Sequence, residues 1–282
     1  MKTGMNLLLW TDLVTAEHDG LLEQIKAIGF DSVEIPVFHT GDLKPYERLG
    51  ERIKALGLRA TAVTVMNADT NPISPEPTVR EAAVAHLDRV MECGQAFGCE
   101  VLCGPLHSAI GVFSGVEPTA DEFARGVETL QKTGEKAEAR GIQLALEYLN
   151  RFECYFNTTA AQNQKLVEAI GHPRVKLMFD SFHANIEEKD QAKAIASCAN
   201  NIVHVHVSEN DRGTPGTGGV NWDSFFAGLK AAHYDGFLTI EAFGRALPAL
   251  AAATRVWRDL FDDPMNLCRE GHQFMTSRWA RG

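Results

Sequence analysis

Four residues in the second half of the chain carry side chains that can act together on a metal ion or a proton: Glu147, Asp180, His206 and Glu241. They follow one another at intervals of 33, 26 and 35 residues, each about one strand–helix unit of roughly 30 residues. Glu147 lies in the apolar run LALEYL and Glu241 in LTIEAF. Burying an unpaired carboxylate costs several kcal/mol or forces it to take up a proton. One metal ion shared by all four side chains removes that cost at every position. Two Glu, one Asp and one His make an oxygen-rich donor set with a single imidazole. Such a set suits Mn²⁺, Mg²⁺ or Co²⁺ better than a structural zinc site, which favours Cys and several His. Singly, Asp180 at a strand end also reads as a helix N-cap, and His206 as a hydrogen-bonded core residue. Jointly, the four predict one divalent metal ion.

Short β-rich runs alternate with amphipathic stretches along the whole chain. Strands are expected at Met5–Trp10, Ser32–Val37, Arg59–Met66, Val101–Leu106, Gln143–Leu149, Val175–Asp180, Val203–Glu209 and Phe237–Phe243. Most are nearly continuous apolar runs, as parallel strands buried on both faces require. Helical patterns fall at Leu21–Ile28, Tyr46–Leu56, Pro77–Phe97, Pro118–Arg140 and Trp222–Ala232. Gly29, Gly57, Gly98, Gly141 and Gly236 precede strands and fit helix C-caps. Eight such units without a linker predict an α/β fold, a (β/α)8 TIM barrel over residues 1–263. Residues 264–282 exceed what the barrel needs and form a C-terminal extension, expected to be helical. A doubly wound sheet would place a Gly-rich turn after the first strand, where this chain has Trp10-Thr11-Asp12. In a barrel the strands' C-terminal ends form the active site, and the four candidates all fall there.

Composition narrows the function classes. With 45% hydrophobic residues over 282 the chain can bury a large core, and a net charge of −10 without a Lys/Arg cluster disfavours nucleic acid or an anionic membrane as partner. Apolar runs of about 5–8 residues are too short to span a bilayer, which needs roughly 20. The six cysteines form no CxxC pair; with no signal-peptide cleavage pattern, free thiols in a cytoplasmic protein are expected.

Beyond the four candidates, longer strings are familiar. LEYLNRFE (146–153), FDSFHANIEE (179–188), HVHVSENDR (204–212), GTGGVNW (216–222) and YDGFLTIEAF (234–243) resemble the ketose 3-epimerases of the D-tagatose/D-psicose/L-ribulose group, within the sugar isomerase/epimerase barrels. The resemblance covers most of the second half in order; the first half matches mainly in architecture. It implies that Glu147, Asp180, His206 and Glu241 hold the metal, with Mn²⁺ or Co²⁺ preferred, and that Glu147 and Glu241 double as an acid/base pair. It implies that Glu153, His183 and Arg212 hold the carbonyl end of a free sugar, and that the chain forms a homodimer or homotetramer. Asn6 stands where relatives have an aromatic residue, and Met66 where many have a small one. Both bear on the sugar accepted, as do His107, Phe113 and Phe243 near expected strand ends.

The chemistry agrees with the resemblance. The hydrogen at C3 of a 2-ketose is a weak acid beside the C2 carbonyl, so its removal needs charge stabilisation on O2 as an enediolate forms. Two opposed carboxylates, one taking a proton and one returning it, invert the carbon. Alternatives using the same site are an aldose–ketose isomerase and an epimerase of a keto-glycoside or inositol-derived ketone. A metal-dependent endonuclease would need more histidines and a basic groove. A non-catalytic sugar-binding barrel would have no use for two opposed buried bases. Gly213 to Gly219 (GTPGTGG) lacks the GK[ST] ending of a phosphate loop and reads as a tight turn presenting Arg212 and Trp222. His204 shares a strand face with His206 and should lie deeper in the barrel.

Overall fold

The computed structural model describes residues 1–281, and in it eight parallel strands close into a barrel. They are β1 (Lys2–Asn6), β2 (Ser32–Pro36), β3 (Arg59–Val63), β4 (Cys99–Gly104), β5 (Gln143–Glu147), β6 (Val175–Asp180), β7 (Ile202–Val207) and β8 (Phe237–Ile240). Each pairs with the next in sequence, and β8 closes on β1 through Lys2↔Phe237 to Met5↔Ile240. The expected (β/α)8 barrel is the fold. Around it lie α1 (Asp19–Ile28), α2 (Lys44–Ala55), α3 (Pro77–Ala96), α4 (Ala120–Arg140) and α5 (Ala160–Ile170). They are followed by α6 (Ser181–Glu187), α7 (Gln191–Cys198), α8 (Trp222–Ala231), α9 (Pro248–Thr254) and α10 (Pro264–Ala280).

Most strands are shorter than their apolar runs, though β6 spans the expected Val175–Asp180, and the reasons are local. β1 ends at Asn6 because the Asn6 side-chain oxygen accepts the Leu8 N–H at 2.8 Å, turning Leu7–Leu9 into a 3₁₀ turn rather than the expected strand. β4 stops at Gly104, whose φ of 126° no strand continues. At α4 the Thr119/Glu122 capping box supplies the start signal, with Glu122 Oε2 accepting the Thr119 N–H at 2.7 Å. Four of the five expected glycine caps do have positive φ, but Gly236 does not; His233, at φ 52°, turns the chain there instead. In segment 264–282, Asp263 caps α10 through the Asn266 N–H at 2.8 Å. α10 lies against both neighbours of the β8–β1 seam, with His272 on Phe30 after α1 (ring centroids 4.7 Å apart) and Phe274 on Trp222 of α8 (5.3 Å). Gly282 lies outside the described residues.

The barrel interior is polar as well as apolar. Asn6, Glu34 and Thr61 stand side by side in the register of β1, β2 and β3, and Asp180, His206 and Thr239 in that of β6, β7 and β8. All six are buried. Ordinary TIM barrels fill these layers with branched aliphatic side chains, so a chain that places hydrogen-bonding groups here must pair them. All six cysteines are free and buried. Among the described residues, no helix is long and apolar enough to cross a membrane.

Gly104 yields a direct test of the barrel's tolerance. A Cβ at this position would run into the Thr64 carbonyl oxygen, on a backbone conformation that side chains rarely adopt. Gly104→Ala should cost about 2–4 kcal/mol from combined strain and overpacking. A urea midpoint equal to that of the unaltered chain would contradict this.

Candidate metal and acid–base site

Glu147 is the last residue of β5 and Asp180 the last of β6; His206 is the penultimate residue of β7, and Glu241 follows β8. All four are buried, and each offers one ligand atom such that these atoms lie within 4.8 Å of one another. The point of convergence is the C-terminal mouth of the barrel. His206 Nδ1 faces Glu241 Oε1 at 3.4 Å, Asp180 Oδ2 at 3.7 Å and Glu147 Oε1 at 4.0 Å. That nitrogen is buried and has no hydrogen-bond partner among the described residues. An orphaned imidazole nitrogen aimed at three carboxylates is what a cation site looks like in side-chain chemistry, so the donor set fits a divalent metal ion.

Asp180 serves two purposes. Its Oδ1 accepts the Phe182 N–H at 2.7 Å, the N-cap of α6, while Oδ2 faces the site. The N-cap reading of this residue is what the fold shows, and its second oxygen stands among the four candidate ligand groups. Ser181 fixes the next strand: its hydroxyl donates to the Ser208 carbonyl and accepts the Ser208 N–H, each at 2.8 Å.

Arg212 enters from the loop after β7. Its Nη1 donates to Glu241 Oε2 at 2.5 Å, Ser208 Oγ at 3.0 Å and Asp180 Oδ2 at 3.2 Å. The guanidinium carbon lies 3.7 Å from the Phe182 ring centroid and 4.9 Å from that of Phe243, so cation–π contact on both rings holds its plane. Its φ of 66° is rare for a side-chain-bearing residue. His183 accepts the Asn150 N–H at Nδ1 (3.0 Å), which places its proton on Nε2, 3.4 Å from Glu147 Oε1. The third residue expected at the carbonyl end, Glu153, is half-buried on the turn after β5 and accepts from Asn150 Nδ2 at 3.0 Å.

These contacts separate the acidities. Burial pushes the Glu147 carboxyl up to about 7, against the His183 hydrogen bond and with the Glu241 charge in support. Burial also opposes ionisation of Asp180, but the Arg212 charge and the neighbouring histidines outweigh it and hold this carboxyl below its usual range. His183 is raised: burial disfavours its charged form, yet the Glu147 hydrogen bond and the Asp180 charge prevail.

The outlying candidates fall in different places. Phe243 is buried on Arg212. Asn6 is buried beneath the site, its Nδ2 donating to Glu34 Oε1 at 2.9 Å and to Glu241 Oε1 at 3.3 Å. Both ring nitrogens of His107 are committed, Nε2 to the Glu147 carbonyl at 2.8 Å and Nδ1 to Ser108 Oγ at 2.9 Å. His107 thereby steadies the backbone of Glu147. Met66 is wholly buried, and Phe113 is 48% exposed, with its ring 6.3 Å from that of Tyr155. The structure does not bring Phe113 into the acidic group.

Two buried glutamates escaped the sequence reading. Glu209 organises the GTPGTGG loop by accepting the N–H groups of Gly216 (2.8 Å) and Val220 (3.1 Å) and the Trp222 indole N–H (3.0 Å). The loop thus presents Arg212 to the site, but Trp222 packs into an aromatic cluster with Phe225 and Phe226. Glu34 lies under the site between His204 and His206, 2.7 Å from Nε2 of each. Its setting in SVEIP carries the same signal that marked Glu147 and Glu241, a carboxylate within an apolar strand.

Comparison with known proteins agrees with this geometry. The family model of the xylose isomerase-like TIM barrel matches residues 22–276. A probable ketose 3-epimerase of Synechocystis sp. is 29% identical over 98% of this chain and 96% of its own. The D-psicose 3-epimerase of Agrobacterium fabrum is 30% identical over 92% and 91% respectively. The crystal structure of D-allulose 3-epimerase from Methylomonas sp. in complex with D-allulose superposes with a TM-score of 0.92. It is 27% identical and covers 99% of this chain and 97% of that one. The chain belongs to the xylose isomerase-like TIM barrels and, within them, to the ketose 3-epimerase family. It is an isomerase-class carbohydrate enzyme.

The raised pKa of Glu147 has a measurable consequence in protein stripped of metal by a chelator. A group with its folded-state value near 7, above the ordinary 4.5, has its favourable contribution fully present below 4.5 and loses it as pH rises through 7. Glu147→Gln removes that ionisation. The variant should be more stable than the unaltered chain at pH 8 and lose the advantage on acidification towards pH 4.5. Urea midpoints across that range check it; a variant less stable at pH 8 would contradict the assignment.

Proposed function

We propose that the protein epimerises a free ketose at C3, with Glu147 and Glu241 as the proton-transferring pair. The observation that carries this reading is the pair's placement. The two buried glutamates come from strand ends three positions apart round an eight-stranded barrel and converge on one point. A flat enediolate between them presents one face to each. One carboxylate, ionised, takes the C3 proton; the other, protonated, returns a proton from the opposite side and inverts the carbon. A glutamate whose pKa lies near neutral pH, as that of Glu147 does, is suited to either duty. Such positioned acid–base groups contribute about 10²–10⁴-fold in rate.

Glu147, Asp180, His206 and Glu241 are the residues that would hold a divalent cation, Mn²⁺ by preference with Co²⁺ or Mg²⁺ as substitutes. When bound, it supplies Lewis-acid stabilisation of the negative charge that develops beside C3. Arg212 and the Nε2–H of His183 supply donors to the same oxygen region, and Glu153 completes the carbonyl end. Asn6, bonded to Glu241, and Phe243, packed on Arg212, bear on which sugar fits, as does buried Met66, with His107 acting through the Glu147 backbone. Burial of the reacting groups excludes bulk water, which strengthens each of these electrostatic contacts.

The deciding experiment is NMR of metal-loaded protein with D-fructose, D-psicose, D-tagatose and L-ribulose in deuterated water. Deuterium at C3 together with the 3-epimer is the expected result. Exchange at C1 with aldose formation would replace the proposal by an aldose–ketose isomerase. Glu147→Gln and Glu241→Gln should each lower kcat by at least about 10²-fold while circular dichroism stays unchanged. Full activity in either variant would end the two-base scheme.

A further inference from the structure

One densely bonded buried side chain of the barrel interior is not used by the proposed chemistry. Glu34, on β2, is fully buried. Its Oε1 accepts from His206 Nε2 at 2.7 Å and from Asn6 Nδ2 at 2.9 Å. Its Oε2 accepts from Thr61 Oγ1 at 2.8 Å and from the Cys103 thiol at 3.3 Å, and lies 2.7 Å from His204 Nε2. Groups from β1, β2, β3, β4 and β7 thus meet on one carboxylate. None of these contacts faces the mouth: Glu34 lies on the far side of the His206 ring from Glu147, Asp180 and Glu241, which gather at Nδ1.

We propose that Glu34 is a positioning residue for the metal site: by accepting the Nε2–H of His206 it fixes the tautomer whose Nδ1 lone pair points into the cluster of Glu147, Asp180 and Glu241. A neutral imidazole has one N–H and one lone pair. A carboxylate at Nε2 claims the N–H and leaves the lone pair on Nδ1, and its charge makes that lone pair a stronger donor. The same carboxylate sets Asn6, whose second amide hydrogen reaches Glu241 Oε1. Glu34 therefore holds two of the four candidate ligands in place, one directly and one through Asn6. The opposing chemistry for this cluster is a second cation, since Glu34, Cys103, His204 and His206 also offer ligand atoms within 4.8 Å of one another. The short Nε2 to Oε1 contact of good hydrogen-bond geometry favours a shared proton there over a shared metal ion.

The inference rests on the proposed metal site, and the test keeps the two apart. Metal-free protein is titrated with Mn²⁺ and Co²⁺ by calorimetry, alongside Glu34→Gln and Thr61→Val. The Thr61 variant removes a contact to Glu34 without touching His206. The unaltered chain should bind one ion, Glu34→Gln should bind it about 10–100-fold more weakly, and Thr61→Val should stay within a few-fold of the unaltered chain. No binding by the unaltered chain would sink the metal site itself and not only the role of Glu34. One ion bound with equal affinity by Glu34→Gln would overturn the positioning role, and two ions per unaltered chain would replace it with a second cation site. Should Glu34→Gln fail to fold, ¹⁵N NMR of the Mg²⁺-loaded unaltered chain decides: His206 protonated at Nε2 upholds the proposal, and a proton at Nδ1 overturns it.

Discussion

Crowding of like charge at the mouth of the barrel is the constraint on which the rest of the structure turns. Glu147, Asp180 and Glu241 are buried together, with ligand atoms within 4.8 Å. At about 4 Å and an effective dielectric of about 20, two like charges repel by about 4 kcal/mol, so three ionised carboxylates cannot stand unaided. Arg212 offsets one charge through its contacts with Glu241 and Asp180. The raised pKa of Glu147, which keeps its carboxyl protonated to higher pH, relieves a second. The charge that remains is within what a divalent cation would balance, and the unpartnered His206 Nδ1 would be its nitrogen donor.

Much of the surrounding architecture serves to hold that crowd still. Asp180 is tied to the first turn of α6 by one oxygen, so its other oxygen has little freedom. Arg212 is clamped between two aromatic rings and anchored by its own carbonyl, which accepts the Phe243 N–H at 3.0 Å. The loop that delivers it is wound round Glu209 rather than left open. Each device replaces side-chain entropy lost in binding with order built in during folding.

The fold was legible in the sequence because parallel strands buried on both faces leave an unmistakable pattern of apolar runs separated by helix-length intervals. The four converging residues were legible for a related reason: ionisable groups at apolar strand ends, one unit apart, have few innocent explanations. Strand ends were less so, since Asn6 and Gly104 stop their strands by side-chain capping and backbone conformation rather than by a change in hydropathy. Glu34 and Glu209 went unread for different reasons. SVEIP carries a signal equal to that of LALEYL, but β2 lies in the half with no familiar string to draw the eye. Glu209 is identified only by the backbone N–H groups of a loop that folds back on it, which is a tertiary fact.

The polar barrel interior divides the molecule by its tolerance of inherited change. Asn6, Glu34, Thr61, Cys103 and His206 are bonded across five strands, so altering any one leaves a partner buried without its mate. The loop after β4 is different: there Phe113 is half exposed and carries none of these bonds. A lineage descended from this chain can therefore redraw that stretch of the rim one residue at a time while the floor is passed on as a block. Diversity in what the mouth admits and constancy in what it can do are, in this barrel, two outcomes of where its hydrogen bonds are spent.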